Sequence, residues 1–229
     1  MSKKGKLLRL ILLKIPLSLV ALSLLWVLLL KWMPVKVTPL MITRSIENRG
    51  NDDFFTHKKW TPLEDISPEM VKAVIASEDN LFDTHKGFDW KEIRKAAEEY
   101  KSGKRRRGAS TISQQTARNV FLFPSNTFVR KGLEAYFTVL IEWIWGKRRI
   151  MEVYLNVAEM GPGIYGAQAA AHQLFGKQAS ELTRRESCLI TACLPAPLTR
   201  NPARPSPYVQ RRASQISNLE GKLEFPDWL

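Results

Sequence analysis

A helix-start signature recurs along this chain and all but dictates its class. Ser67-Pro68, Asp89-Trp90-Lys91-Glu92, Thr111-Ile112-Ser113-Gln114 and Thr183-Arg184-Arg185-Glu186 each set a Ser, Thr or Asp ahead of a run with helical character. Such a side chain accepts a hydrogen bond from a free N–H of the first turn, and a Glu or Gln three residues on can bond back. Thr61-Pro62-Leu63-Glu64 has the same form and predicts one short turn. Gly103, Gly146, Gly176 and Pro195 supply matching stops. Between them the pattern predicts a long helix over Phe128 to Trp145. Shorter ones follow over Lys147 to Asn156, Gly166 to Phe175 and Pro207 to Gly221. Lys147 to Asn156 empties into the loop Gly161-Pro162-Gly163. No alternating run of strand residues is visible, and Val35 to Trp60 reads as a polar connector without periodicity. The predicted class is mainly α.

The N-terminus sets where this domain lies. Lys3, Lys4, Lys6, Arg9 and Lys14 precede the apolar stretch Ile15 to Met33, in which Lys31 is the one charge. As a helix rising about 1.5 Å per residue, that stretch matches a bilayer's hydrocarbon thickness. Basic residues ahead of it put the N-terminus in the cytoplasm and the remainder across the membrane. Trp26 and Trp32 suit the interfaces. No small-x-small cleavage site follows, since the chain runs Lys31-Trp32-Met33-Pro34-Val35-Lys36, and an uncleaved anchor is expected. The expected divisions are a basic cytoplasmic tail over 1–14, a transmembrane anchor over 15–33, a linker over 34–60, the main domain over 61–205, and a C-terminal helix and tail over 206–229.

In 229 residues, 35 Lys and Arg against 22 Asp and Glu leave a net charge of +13, which favours a polyanionic partner: nucleic acid, an anionic membrane or a phosphorylated substrate. Cys188 and Cys193 stand five apart on one expected helix, where side chains diverge. They read as buried apolar residues, with neither a disulfide nor a zinc spacing.

Four segments carry chemistry. Val71, Val74 and Ile75 follow Ser67-Pro68 at i, i+3 and i+4, and Glu78 is next in that series, aimed along the buried face. A carboxylate that loses hydration there binds its proton more tightly and can serve as a base near neutral pH. A Glu paired to a cation and holding the helix end is the plain alternative. Gly108 to Arg118 leads small residues into a helix start, whose free N–H groups and dipole favour an anion beside Lys104, Arg105, Arg106 and Arg107. An ordinary capped helix next to a solvated loop also fits. Arg130 and Glu134 are i, i+4 neighbours with Lys131 between them, and Glu134 shares a stripe with Phe137 and Ile141 that turns it toward the interior or a cleft. Lys147 to Asn156 is an amphipathic helix with a cationic start. His57, His85 and His172 have no ligand spacing, so no structural metal is expected. His85 reads as shaping the loop after Glu78 rather than as a base.

In this order, E-D-x-x-F-x-x-H-x-G at Glu78 to Gly87, G-x-S-T-I-S-Q-Q at Gly108 to Gln115, R-K-x-x-E at Arg130 to Glu134 and K-x-x-I-x-E-x-Y-L-N at Lys147 to Asn156 resemble the motif series of the family-51 peptidoglycan glycosyltransferases. Gly166 to Ala171, ending in Phe175-Gly176-Lys177, is similar to a fifth family segment. The resemblance covers about residues 60 to 205, and the layout looks like the monofunctional biosynthetic members. It implies a lysozyme-like helical domain behind one N-terminal transmembrane helix, on the periplasmic side of a bacterial cytoplasmic (inner) membrane. It further implies polymerisation of lipid II into β-1,4 glycan strands with inversion and release of undecaprenyl diphosphate.

Carried onto this sequence, the resemblance makes Glu78 the general base for the acceptor's 4-hydroxyl and puts Glu134 near the donor and its leaving group. Arg118, Arg130 and Lys131 would neutralise the pyrophosphate, and Ser110, Thr111, Gln114 and Gln115 would line the cleft. Asp79, Phe82, His85, Gly87, Lys147 and Asn156 are the further substrate-binding positions it implies. Implied partners are lipid II, the growing strand, the membrane and other cell-wall synthesis or division proteins, and no nucleic acid. No cofactor is required, although a divalent cation (Mg or Mn) could bridge the pyrophosphate.

Two positions depart from the family pattern: Gly108-Ala109 replaces paired glycines, and Arg118 stands where lysine is frequent. The Phe121 to Phe128 region resembles the family's membrane-touching lip, with a buried core segment as the alternative. No S-x-x-K occurs, so the serine acylation machinery of penicillin-binding proteins is not expected. A membrane-anchored lytic muramidase and a non-catalytic polyanion binder are the competing readings.

Overall fold

Capped helices account for nearly all of the architecture. The computed structural model describes residues 10–103 and 110–229; the tail as far as Arg9, the basic loop Lys104–Gly108 and Ala109 lie outside the described residues. Helix α1 spans Ile15–Leu30 and continues a π-helical turn over Leu10–Lys14. α2 covers Pro39–Glu47 and β1 His57–Lys58. α3 (Pro68–Glu78), α4 (Trp90–Lys101), α5 (Ile112–Phe121) and α6 (Phe128–Ile144) follow. After α7 (Lys147–Val157) come β2 (Glu159–Gly161), β3 (Ile164–Tyr165), α8 (Ala167–Phe175), α9 (Arg184–Cys193) and α10 (Pro207–Glu220).

The expected caps form at Ser67, Asp89, Thr111 and Thr183, with full capping boxes at the last two. The one expected at Thr61 does not. Its N–H donates to Asn156 Oδ1 at 2.8 Å, and Pro62 opens a 3-10 turn over Leu63–Asp65 instead. The supposedly featureless connector also needs correcting, because α2 lies inside it. Thr38 accepts the Met41 N–H at 3.3 Å with Pro39 at the first helical position, and Met41 is buried.

A small sheet in the order β1-β3-β2 overturns the expectation of no strands. β1 runs parallel to β3 and β2 antiparallel to it. Strands of two or three residues are too short to show the alternation by which a sequence announces a strand.

The core is gathered around α5 and α7. Ile112, Ala117, Val120, Ile141, Ile150, Met151, Leu155 and Val157 belong to one buried cluster, each large aliphatic side chain contributing about 1.5–3 kcal/mol by leaving water. A second cluster packs Ala73 and Ala76 of α3 against Cys188, Leu189 and Cys193 of α9 and Val209, Ala213 and Ile216 of α10. Both cysteines are buried and unbridged. The face of α4 that carries Trp90, Ile93, Ala97 and Tyr100 stays at the surface, and no residue of that helix is buried.

α1 ends at Leu30, short of the expected Met33, and among the described residues no helix is long and apolar enough to cross a membrane. The helix is nonetheless fastened to the domain. Trp145 Nε1 donates to Val27 O at 2.7 Å and the Ser23 and Tyr136 hydroxyls lie 2.7 Å apart. Arg149 Nη2 donates to the carbonyls of Leu30 (2.7 Å) and Met33 (2.5 Å), and Lys58 Nζ to those of Val35 and Lys36.

Candidate active site

Glu78 closes α3, half-buried, in line with the buried Val71, Val74 and Ile75 of the same helix. Gln115 Nε2 of α5 donates to its Oε2 at 3.2 Å, and Ser77 Oγ to its Oε1 at 3.3 Å. The Gln115 amide is oriented in turn by the buried Tyr154, whose hydroxyl donates to Gln115 Oε1 at 3.4 Å. Burial raises the pKa of Glu78 above the ordinary Glu value. The hydrogen bonds from Gln115 and Ser77 and the charge of Arg212 oppose that rise, and neighbouring Asp79 adds to it. The result is a carboxylate that is anchored, partly dehydrated and reluctant to stay charged. Such a group accepts a proton well.

The loop after Glu78 is built around Asp79. Its buried carboxylate accepts the Ile112 N–H at 3.0 Å and takes His85 Nε2 at 2.9 Å from each oxygen. Because His85 Nδ1 accepts the Gly87 N–H at 3.0 Å, the ring carries its proton on Nε2, facing Asp79. Thr111 Oγ1 then donates to Gly87 O at 2.7 Å, which ties the loop to the first turn of α5. Gly87 has φ +89°, and a Cβ there would lie 2.8 Å from Thr138 Cγ2 of α6, so no other residue fits without strain.

Two further carboxylates come from α6. Glu134 is fully buried and receives Arg130 Nη1 at 2.6 Å together with Lys131 Nζ. Glu142, two turns on, takes Ser113 Oγ at 2.5 Å and Lys147 Nζ at 2.6 Å. The Lys147 ammonium also lies 4.7 Å over the Phe82 ring. Ser113 of α5, Glu142 of α6 and Lys147 at the start of α7 thus interlock across three helices, while Arg130, Lys131 and Glu134 form a second cluster within α6.

This combination of motif residues has close counterparts. The transglycosylase family model matches residues 47–219. The chain belongs to the transglycosylase family. The biosynthetic peptidoglycan transglycosylase of Caulobacter vibrioides is 49% identical over 218 residues, covering 95% of this chain and 93% of its own. That of Bacteroides thetaiotaomicron is 53% identical over 198 residues, covering 86% and 80%. That of Bdellovibrio bacteriovorus is 48% identical over 219 residues, covering 95% and 88%. The chain is therefore a glycosyltransferase enzyme of this family.

Within this transglycosylase, the residues singled out from the sequence divide into a rim and a frame. Glu78, Ser110, Gln115, Arg118, Arg130 and Lys131 keep some exposure and can meet a ligand. Asp79, Phe82, Gly87, Thr111, Gln114 and Glu134 are buried and shape the rim from behind. Gln114 Oε1 accepts the Thr111 N–H at 3.0 Å and Phe82 lies under Lys147, so neither side chain is free to line a cleft. Asn156 was expected to bind substrate, yet it is buried and spent on backbone. Its amide accepts the Thr61 N–H and donates to Thr61 O and Glu152 O, both at 2.8 Å.

Sequence reasoning passed over Ser77, Glu142 and Arg212 and gave Tyr154 of the fourth motif no role of its own. Glu142 had a signal: Glu134, Thr138 and Glu142 form a polar line at i, i+4 and i+8 on an otherwise apolar face. Among the described residues no group of His, Cys, Asp or Glu is disposed to hold a metal ion.

Proposed function

We propose that this transglycosylase is a monofunctional peptidoglycan glycosyltransferase that polymerises lipid II into β-1,4 glycan strands with inversion, releasing undecaprenyl diphosphate. The observation that carries the reading is the half-dry Glu78 carboxylate, steered by Gln115 and Ser77, with the Arg212 charge acting on it. Glu78 removes the proton of the acceptor's 4-hydroxyl as that oxygen bonds to the donor's anomeric carbon. The bond from that carbon to the diphosphate breaks on the opposite face, and the diphosphate departs with the electron pair. Arg118, Arg130, Lys131 and Lys147 take up its charge. Diphosphate already leaves readily, so fixed cations serve in place of an acid. Glu134 acts through Arg130 and Lys131, which it holds in place. No cofactor is required for these steps, and a divalent cation (Mg or Mn) at the pyrophosphate would add to the charge that the side chains supply there.

The same proposal anchors the enzyme in the bacterial inner membrane by the helical run from Leu10 through Leu30, with the N-terminus inside and the domain in the periplasm. Support comes from the exposed apolar residues of α1, among them Leu17, Leu19, Leu22, Leu25 and Trp26, and from Phe123, Phe128 and Val129 at the mouth of α6. A lipid-tailed substrate would approach along that surface. Its partners are the membrane, lipid II and the growing strand, and other cell-wall synthesis or division proteins. The test is incubation of the full chain with lipid II, with and without a chelator, and separately with preformed glycan. Polymer from lipid II that is lost in Glu78→Gln is the expected result. Cleavage of glycan with no polymer made would mark a muramidase and sink the proposal.

A further inference from the structure

We infer that Glu142 is a positioning residue for the transfer reaction, holding the Lys147 ammonium, the first turn of α5 and the Gly87 loop in one fixed arrangement. The inference rests on the glycosyl-transfer reading above and deepens it. Three contacts carry it. The Glu142 carboxylate receives Ser113 Oγ at 2.5 Å and Lys147 Nζ at 2.6 Å on the same oxygen, with both ion-pair side chains largely shielded from water. Its stem is packed on the backbone of Gly87, where a Cβ would lie 3.0 Å from Glu142 Cγ. Beneath the ammonium, the Phe82 ring at 4.7 Å closes a second side.

Electrostatics explains why a carboxylate is needed there. α7 begins with Lys147, Arg148 and Arg149 and has no acid in its first turn and no side-chain cap. A cation at a helix N-terminus faces the positive end of the helix dipole, an unfavourable position. Glu142, reaching over from α6, supplies the missing negative charge and fixes where Lys147 points. Without it Lys147 would lose its carboxylate partner, and Ser113 the bond that ties the first turn of α5 to α6. The Glu142 side chain is largely shielded and both its partners lie on its Oε1, so its influence passes through Lys147 and Ser113.

The test uses the full-length protein in detergent with lipid II, measuring kcat and KM separately. Glu142→Gln should lower kcat by roughly 10- to 100-fold with KM little changed, as misplacement of a transition-state contact does. Glu142→Asp should recover part of the loss. In a Lys147→Met background, adding Glu142→Gln should cost less than about twofold more, because the two act as one unit. Losses that multiply, or a Glu142→Gln enzyme with near-normal kcat, would overturn the inference. Ser113→Ala covers the case in which Glu142→Gln does not fold: kcat should drop several-fold at constant KM, and an unchanged kcat counts against the role. Wild-type protein that makes no polymer would instead overturn the glycosyl-transfer reading itself.

Discussion

Arg212 of α10 and Ser77 of α3, 135 residues apart in sequence, meet at 3.3 Å, and Ser77 in turn donates to Glu78. The C-terminal helix, which the sequence sets apart from the main domain, thereby reaches the carboxylate on which the proposed chemistry turns. Arg212 is also one of the influences that hold the Glu78 pKa down against burial.

Replacing Arg212 by Met should leave burial less opposed and raise the proton affinity of Glu78 further. The acidic limb of the kcat/KM profile should move to higher pH, with a few-fold loss at the acidic end and convergence with wild type in alkaline solution. A limb that stays in place would show that Arg212 serves packing alone.

Glu78→Gln should abolish the base, lowering polymerisation by about 10²–10⁴-fold. Its stability should behave differently. The folded-state pKa of Glu78 is raised by burial from 4.5, so its contribution to stability is fully present below that value and lost as pH rises through the folded pKa. Gln carries no such penalty. The variant should therefore gain stability relative to wild type as pH rises from below 4.5 toward neutrality, read from denaturant midpoints at a series of pH values. A constant difference across that range would contradict the buried placement.

Gly87→Ala should cost about 1–3 kcal/mol of stability, since its positive φ and the nearby Thr138 methyl both resist a Cβ. Because Gly87 O anchors Thr111 and its N–H anchors His85, the loss of activity should exceed what the fraction unfolded explains. Wild-type stability and rate would refute the strain argument.

Glu134→Gln should remove the carboxylate that gathers Arg130 and Lys131. Lys131 is half-exposed and can turn to water, so the stability cost should be modest, about 1–3 kcal/mol. The rate of lipid II polymerisation should fall far more. A variant with a stability loss but unimpaired turnover would separate Glu134 from the leaving-group site.

The helices were legible because their start signals are local. Ser67, Asp89, Thr111 and Thr183 each bond to an N–H two or three residues away, and such contacts follow from sequence neighbours alone. Thr38-Pro39 repeats the Ser67-Pro68 form and could have revealed α2. Thr61 misled because its N–H found Asn156, 95 residues on. The frame of the site was hidden for the same reason. Ser113 meets Glu142, Gln115 meets Tyr154, and Ser77 meets Arg212 only after α5, α6, α7 and α10 have packed. What a motif marks is the residue type at a position; whether it lines a groove or supports one, as Phe82 and Asn156 do, depends on burial that no spacing encodes.

The grip of Arg149 on the carbonyls of Leu30 and Met33, joined by Lys58 on those of Val35 and Lys36, has a mechanical consequence. Those four peptide groups are the joint between the apolar N-terminal helix and everything after it. A joint clasped at four carbonyls within seven residues resists swivelling. Tilting the helix would therefore carry the domain that follows it through the same angle.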